Sequence, residues 1–287
     1  MNKKKGIYNL FVVCGIEFLI FQIGMKCIEA IFNNIMYPAI VNIQDEKLLE
    51  FMYWAGYCSL FLIPSAIILI YMRVTDYKVL SSFVPKKGSK SAFLIGSILG
   101  AVINLICVLF AVITGSIKLT YSGFTPLVIL MVLFCFFTCS CEELLCRGFV
   151  FEYLKKQYPI EVASAAGSVL FVLHHISNMT IFGFNPYFAF NIFLFGLLFV
   201  LIIELTGSIW AAFSFHTLWN FTEQFLVGIP NSGASSSISI FKGESCLAGF
   251  FFDSTYGVEG APGATIVFII ILAILYLLLK RVEAIDK

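Results

Sequence analysis

The chain has 287 residues, of which 60% are hydrophobic and only 12% charged, with a formal net charge of +1. Soluble domains carry about 25% charged residues, so this composition excludes an ordinary soluble protein and places the chain in a membrane. A near-neutral charge, with the basic residues in short clusters between apolar runs, also excludes a nucleic-acid partner, which needs a concentrated basic surface.

A membrane-crossing helix needs about 20 apolar residues. The sequence supplies eight such segments, at roughly 7–32, 52–72, 92–114, 124–142, 161–177, 187–205, 207–229 and 263–280, which predicts an all-α polytopic membrane protein. Lys3, Lys4 and Lys5 ahead of the first run have the look of a signal peptide, but the run is long for one and ends in no small-x-small site, so an uncleaved first span is expected. Of the 18 basic residues, 14 fall on one side: Lys3, Lys4, Lys5, Arg73, Lys78, Lys86, Lys87, Lys90, Arg147, Lys155, Lys156, Lys280, Arg281 and Lys287. Lys47, Lys118 and Lys242 fall opposite, so the positive-inside rule makes both termini cytoplasmic. With no organelle signal in the sequence, a multi-pass protein of a bacterial cytoplasmic membrane is expected.

The organisation reads as N-terminal spans over 1–123, a core over 124–229, and an external loop with the last span over 230–287. The stretch 230–262 is the one long polar segment and reads as a mobile loop, a partial lid carrying no chemistry of its own. Eight of the nine cysteines, Cys14, Cys27, Cys58, Cys107, Cys135, Cys139, Cys141 and Cys146, lie in or beside apolar segments, with Cys246 apart. They read as small buried apolar residues rather than a disulfide framework or a zinc motif.

Ionisable groups inside spans cost roughly 3 kcal/mol or more unless they meet a partner or a wet cavity, so each one calls for a role. The fourth helical run continues past Glu142 without a breaker until Pro159, which puts Glu142 about 20 Å along the axis from Lys155. His175 is about 21 Å from Glu161 on the next helix, and His216 about 14 Å from Gly207, so the three groups share a similar depth. Glu143 and Arg147, four apart, form the favoured same-face ion pair and read as structural support. Glu142 is turned about 100° from Glu143 and is left to face a cavity, where a carboxylate in low dielectric is a stronger base than in water. His216 and Asn220 are again four apart and can present a ring nitrogen and an amide to a water or an oxyanion. Phe171 shares a face with His175, whereas His174 points elsewhere and reads as a hydrogen-bond partner for a neighbouring helix. Glu17, Lys26 and Glu29 in the first span read as local pairing, and Glu204 and Glu223 as interface residues at helix ends.

In these residues the chain resembles the CAAX prenyl protease type 2 family, also called the CAAX protease and bacteriocin-processing family of intramembrane endopeptidases. Glu142-Glu143-Leu144-Leu145-Cys146-Arg147 matches Glu-Glu-x-x-x-Arg, Phe171 to His175 matches Phe-x-x-x-His, and His216 to Asn220 matches His-x-x-x-Asn, in order and each within an expected span. The resemblance implies a cavity reachable from the cytoplasmic side, with Glu142 activating water, His175 and His216 orienting it, Asn220 donating to the oxyanion, and Glu143 and Arg147 in support. Members have been described both as metalloproteases and as metal-independent glutamate proteases. Glu142, His175 and His216 are the residues that would hold a divalent ion such as zinc, but histidines spread over separate helices favour a reaction with no required metal. The implied substrate is a protein or peptide in the bilayer. The alternative is a non-catalytic bacteriocin-immunity or scaffold protein using the same polar cluster for binding. A transporter would need helices broken by Gly or Pro beside the site, and the sequence shows none.

Overall fold

The computed structural model describes residues 3–74, 87–247 and 249–285. Lys78, Lys86 and Lys287 of the expected lysine-rich side lie outside them. Among the described residues seven helices are long and apolar enough to cross a membrane, spanning Asn9–Ile40, Glu46–Val74, Ser89–Ile113, Leu127–Leu154, Ile160–Phe182, Pro186–Thr206 and Pro262–Ala284. The chain is therefore an all-α polytopic membrane protein. These helices turn large residues such as Phe11, Ile70, Leu94, Ile129 and Leu277 outward, the arrangement hydrocarbon requires and water does not.

The remaining expected span is helical but differs in kind. It runs as Trp210–Phe221 and continues as a π-helix over Thr222–Val227, and it is buried along most of its length. His216, Asn220, Glu223 and Gln224 make it more polar than the other seven, a composition tolerable because protein rather than lipid surrounds it. Here the helices are labelled α1 (Lys3–Ile31), α2 (Glu46–Ser59), α3 (Leu62–Val74), α4 (Ser89–Ile113), α5 (Leu127–Glu143), α6 (Ile160–His174), α7 (Ile176–Phe182), α8 (Pro186–Thr206), α9 (Trp210–Phe221) and α10 (Pro262–Ile285).

Close approach of α4 positions α9. A Cβ at Gly96 would strike the carbonyl of Ala211, and one at Gly100 the carbonyl of Phe215, the residue before His216. Two glycines four apart thus let the backbones touch, the small-xxx-small packing of membrane helices.

The segment 230–262 is not the mobile loop expected. Strand β2 (Phe241–Ser245) pairs antiparallel with β1 (Ile117–Tyr121), which precedes α5. The Tyr256 hydroxyl donates to the Gly183 carbonyl at 2.5 Å, and its ring stacks on Phe188 with centroids 4.0 Å apart. Asn185 reaches Asp253 and the Gly260 carbonyl, while Asn191 donates to the carbonyls of Glu259 and Ala261. The segment is a folded cap, tied to the ends of α7, α8 and α9 by polar contacts that no local pattern encodes.

Candidate active site

The fourth helical run carries Glu142 and Glu143 at its last α-helical residues and then switches to a π-helix over Leu144–Phe151, a form common at functional sites. The expected ion pair survives the switch. Arg147 Nη1 donates to Glu143 Oε1 at 3.2 Å, and both side chains are fully buried. The guanidinium also lies between the rings of Phe171 and Phe199, 4.4 and 4.9 Å from their centroids, so the support role of Phe171 is to cover this cation.

Glu143 has a second partner that its spacing from Arg147 does not reveal. Its Oε1 lies 3.1 Å from His216 Nδ1. A carboxylate there accepts from Nδ1–H, so in the neutral ring it is His216 Nε2 that carries the free lone pair. That nitrogen is 3.9 Å from Glu142 Oε2, too long for a direct hydrogen bond and short enough for one oxygen atom to contact both. Arg147, Glu143, His216 and Glu142 thus form a single chain of polar groups leading toward the site.

His175 reaches the same place by another route. It sits where α6 gives way to α7, with φ −90° and ψ 6°, outside regular helical geometry. The break occurs without Gly or Pro, as the sequence around His175 has neither. His175 Nδ1 donates to the Phe171 carbonyl at 2.8 Å, so its Nε2 too is left without a proton. The Phe171 ring meets the rings of both His175 and His216 edge to face, at 4.9 and 5.6 Å.

A cavity of about 170 Å³ is lined by Glu142, His175, Asn178, Asn220, Gln224 and Asn231 among polar groups and by Phe21, Trp54, Tyr57 and Phe134 among aromatic ones. His216 stands behind Glu142 rather than on the wall. Asn220 Oδ1 accepts from Asn231 Nδ2 at 3.4 Å, while its own Nδ2, among the described residues, donates to the Cys139 sulfur alone, at 3.4 Å. A thiol is a weak acceptor, so that amide is free to turn to a better one.

The cap closes one end of the cavity with Asn231, Ser232 and Ala234. Because β1, just before α5, pairs with the cap, the cap lies at the end of α5 opposite Lys155. Two further carboxylates hold the cap. Glu259 accepts from Trp219 Nε1, Asn231 Nδ2, and the Ser232 amide and hydroxyl at 2.9 to 3.2 Å. Glu223 accepts from the Val258 amide, Asn104 and Asn231. The cap therefore supplies residues of the cavity wall, and Glu223 is an interface residue near the end of its helical run, joining it to α4 and the cap.

His174 behaves as expected of a helix-to-helix partner: its Nε2 meets Glu17 Oε1 at 2.6 Å, and both side chains are buried. Lys26 pairs locally with Glu29 at 2.8 Å, leaving Glu17 to His174. Glu204 pairs with Lys155 at 3.0 Å. All cysteines are free, six of them buried.

The ligand atoms of Glu142, His175 and His216 do not gather closely enough to fit a shared metal ion. Among the described residues the trio whose ligand atoms lie within 4.8 Å of one another is Glu17, Cys146 and His174.

Residues 124–222 match the family model described as type II CAAX prenyl endopeptidase, Rce1-like. This segment, about a third of the chain, is similar to that family. No curated protein and no solved structure matches the chain significantly. The Rce1-like match contains Glu142, Glu143, Arg147, His175, His216 and Asn220, whereas Glu17, Asn231 and Glu259 lie outside it.

Proposed function

We propose that the chain is an intramembrane endopeptidase that hydrolyses peptide bonds of membrane-associated proteins or peptides with water activated by Glu142. The observation that supports this reading best is the cavity wall itself: Glu142, His175 and Asn220 share one small cavity, and His216 stands 3.9 Å behind the carboxylate with its tautomer set by Glu143. The Rce1-like match over residues 124–222 names the same class of activity.

A water between Glu142 and His216 donates one hydrogen to the carboxylate and the other to the bare Nε2, which points an oxygen lone pair into the cavity. As that oxygen attacks the scissile carbonyl carbon, its proton passes to Glu142. The C=O electrons move onto oxygen, where the Asn220 amide exchanges its thiol contact for the oxyanion. Glu142 then returns the proton to the amide nitrogen as the C–N bond breaks, leaving a carboxyl on one fragment and an amine on the other. His175 Nε2 offers a second acceptor for the entering water or the new amine. No step passes through a metal.

The test is hydrolysis of peptides bearing an apolar membrane anchor by the purified protein in lipid. Cleavage by the wild type, lost in Glu142→Gln and His216→Ala while folding is kept, is the expected result. Equal cleavage by Glu142→Gln would return the site to a binding role.

A further inference from the structure

The polar groups of α1, the π-helix and α6 meet at a second place. Cys146 Sγ lies 3.8 Å from His174 Nδ1 and 4.0 Å from Nε2, and that Nε2 is 2.6 Å from Glu17 Oε1. We propose that Glu17, Cys146 and His174 bind a zinc ion through three protein ligands, leaving its fourth position to water, and so clamp α1 to the matched core.

Three observations converge on this ion. The donor atoms lie within 4.8 Å of one another, the spread that zinc bonds of about 2.0–2.3 Å span. The set mixes thiolate, imidazole and carboxylate, each an ordinary zinc ligand. Independently, Glu17 Oε2 is buried with no hydrogen-bond partner, an expensive condition for a carboxylate oxygen that a metal bond would relieve.

Charge gives a further reason. Bound Zn²⁺ replaces two protons, one on the Cys146 thiol and one shared by His174 and Glu17, forming Zn–S, Zn–N and Zn–O bonds. One thiolate and one carboxylate then neutralise the dication, so the site carries no net charge in a low-dielectric interior. His174 and Phe21 also line the cavity beside Glu142, which gives the ion a route in. Glu17 lies 107 residues before the start of the matched segment, so the clamp would join an element outside that segment to the residue adjacent to His175. The site is distinct from the Glu142 centre, and the inference does not depend on proteolysis.

The test is elemental analysis of the full-length protein purified in detergent with micromolar zinc and then desalted. About one zinc per chain is expected for wild type and for Glu142→Ala, with at least a tenfold loss in Cys146→Ala and Glu17→Gln. Metal-free wild type, or zinc kept in Cys146→Ala and lost in Glu142→Ala, overturns the proposal. Should the variants fail to fold, cobalt-loaded wild type decides: a thiolate-to-cobalt charge-transfer band supports the site, and a spectrum without that band overturns it.

Discussion

Glu143 does two things with one oxygen, and the difference between it and Glu142 is the main result at the scale of the residue. Glu143 Oε1 receives both Arg147 and His216, so it sets a tautomer, whereas Glu142 faces the cavity. General acid–base groups contribute roughly 10²- to 10⁴-fold to rate, and Glu142→Gln should lower kcat by about that factor or more with KM little changed. Glu143→Gln should also lower kcat, by roughly 10- to 100-fold, because an amide in place of the carboxylate no longer enforces the proton on His216 Nδ1. Steady-state kinetics on one peptide separates the two, and a Glu143→Gln enzyme as active as wild type would remove the tautomer argument. Arg147→Leu is expected to act on stability instead. Breaking a buried pair by removing one partner costs about 3–5 kcal/mol, readable as a large drop in the detergent melting temperature. An unchanged melting temperature would show that the pair is not what holds the π-helix in place.

Among the elements, packing of α4 against α9 is the contact that places His216. Gly100 lies directly against the Phe215 carbonyl, so Gly100→Leu has to separate the two helices. Overpacking of this kind costs about 1–3 kcal/mol, and because the strain falls beside His216, activity should drop further than the melting temperature alone predicts. Wild-type activity in a folded Gly100→Leu protein would mean that the α4–α9 contact does not position the histidine. The cap offers a pH test. Glu259 precedes the last span, and burial holds its carboxyl above the ordinary range for a glutamate. A carboxyl whose pKa rises on folding stabilises the fold fully below its unfolded value and loses that contribution as pH climbs through the folded one. The melting temperature should therefore decline from acidic toward neutral pH, and Glu259→Gln should flatten the decline. Identical slopes in the two proteins would show that this carboxyl does not govern the cap.

For the molecule as a whole, what was legible in the sequence depended on distance along the chain. Glu143 and Arg147, or His216 and Asn220, are one helical turn apart, so spacing alone put them on a shared face. Eight apolar runs were equally plain, and all eight are helices, although the one bearing His216 is a polar, enclosed helix. The kink at His175 escaped because neither Gly nor Pro marks it. The cap escaped because its order comes from Glu223, Glu259, Asn185 and Asn191, whose partners are mostly tens of residues away. Glu17 with His174, 157 positions apart, was hidden for the same reason. The consequence is a cavity lined both by the Rce1-like segment and by elements outside it, with Phe21 and Trp54 before it and Asn231 after it on the wall.

The most direct test of Glu142-dependent proteolysis is a comparison of the membrane-associated and secreted peptides of cells lacking the endogenous protein and supplied with either wild type or Glu142→Gln at matched levels. Fragments present only with wild type, each ending at a new carboxyl or amine within or beside an apolar segment, are the predicted result. Identical peptide profiles, with both proteins restoring the same phenotype, would contradict it and leave the cavity a binding site.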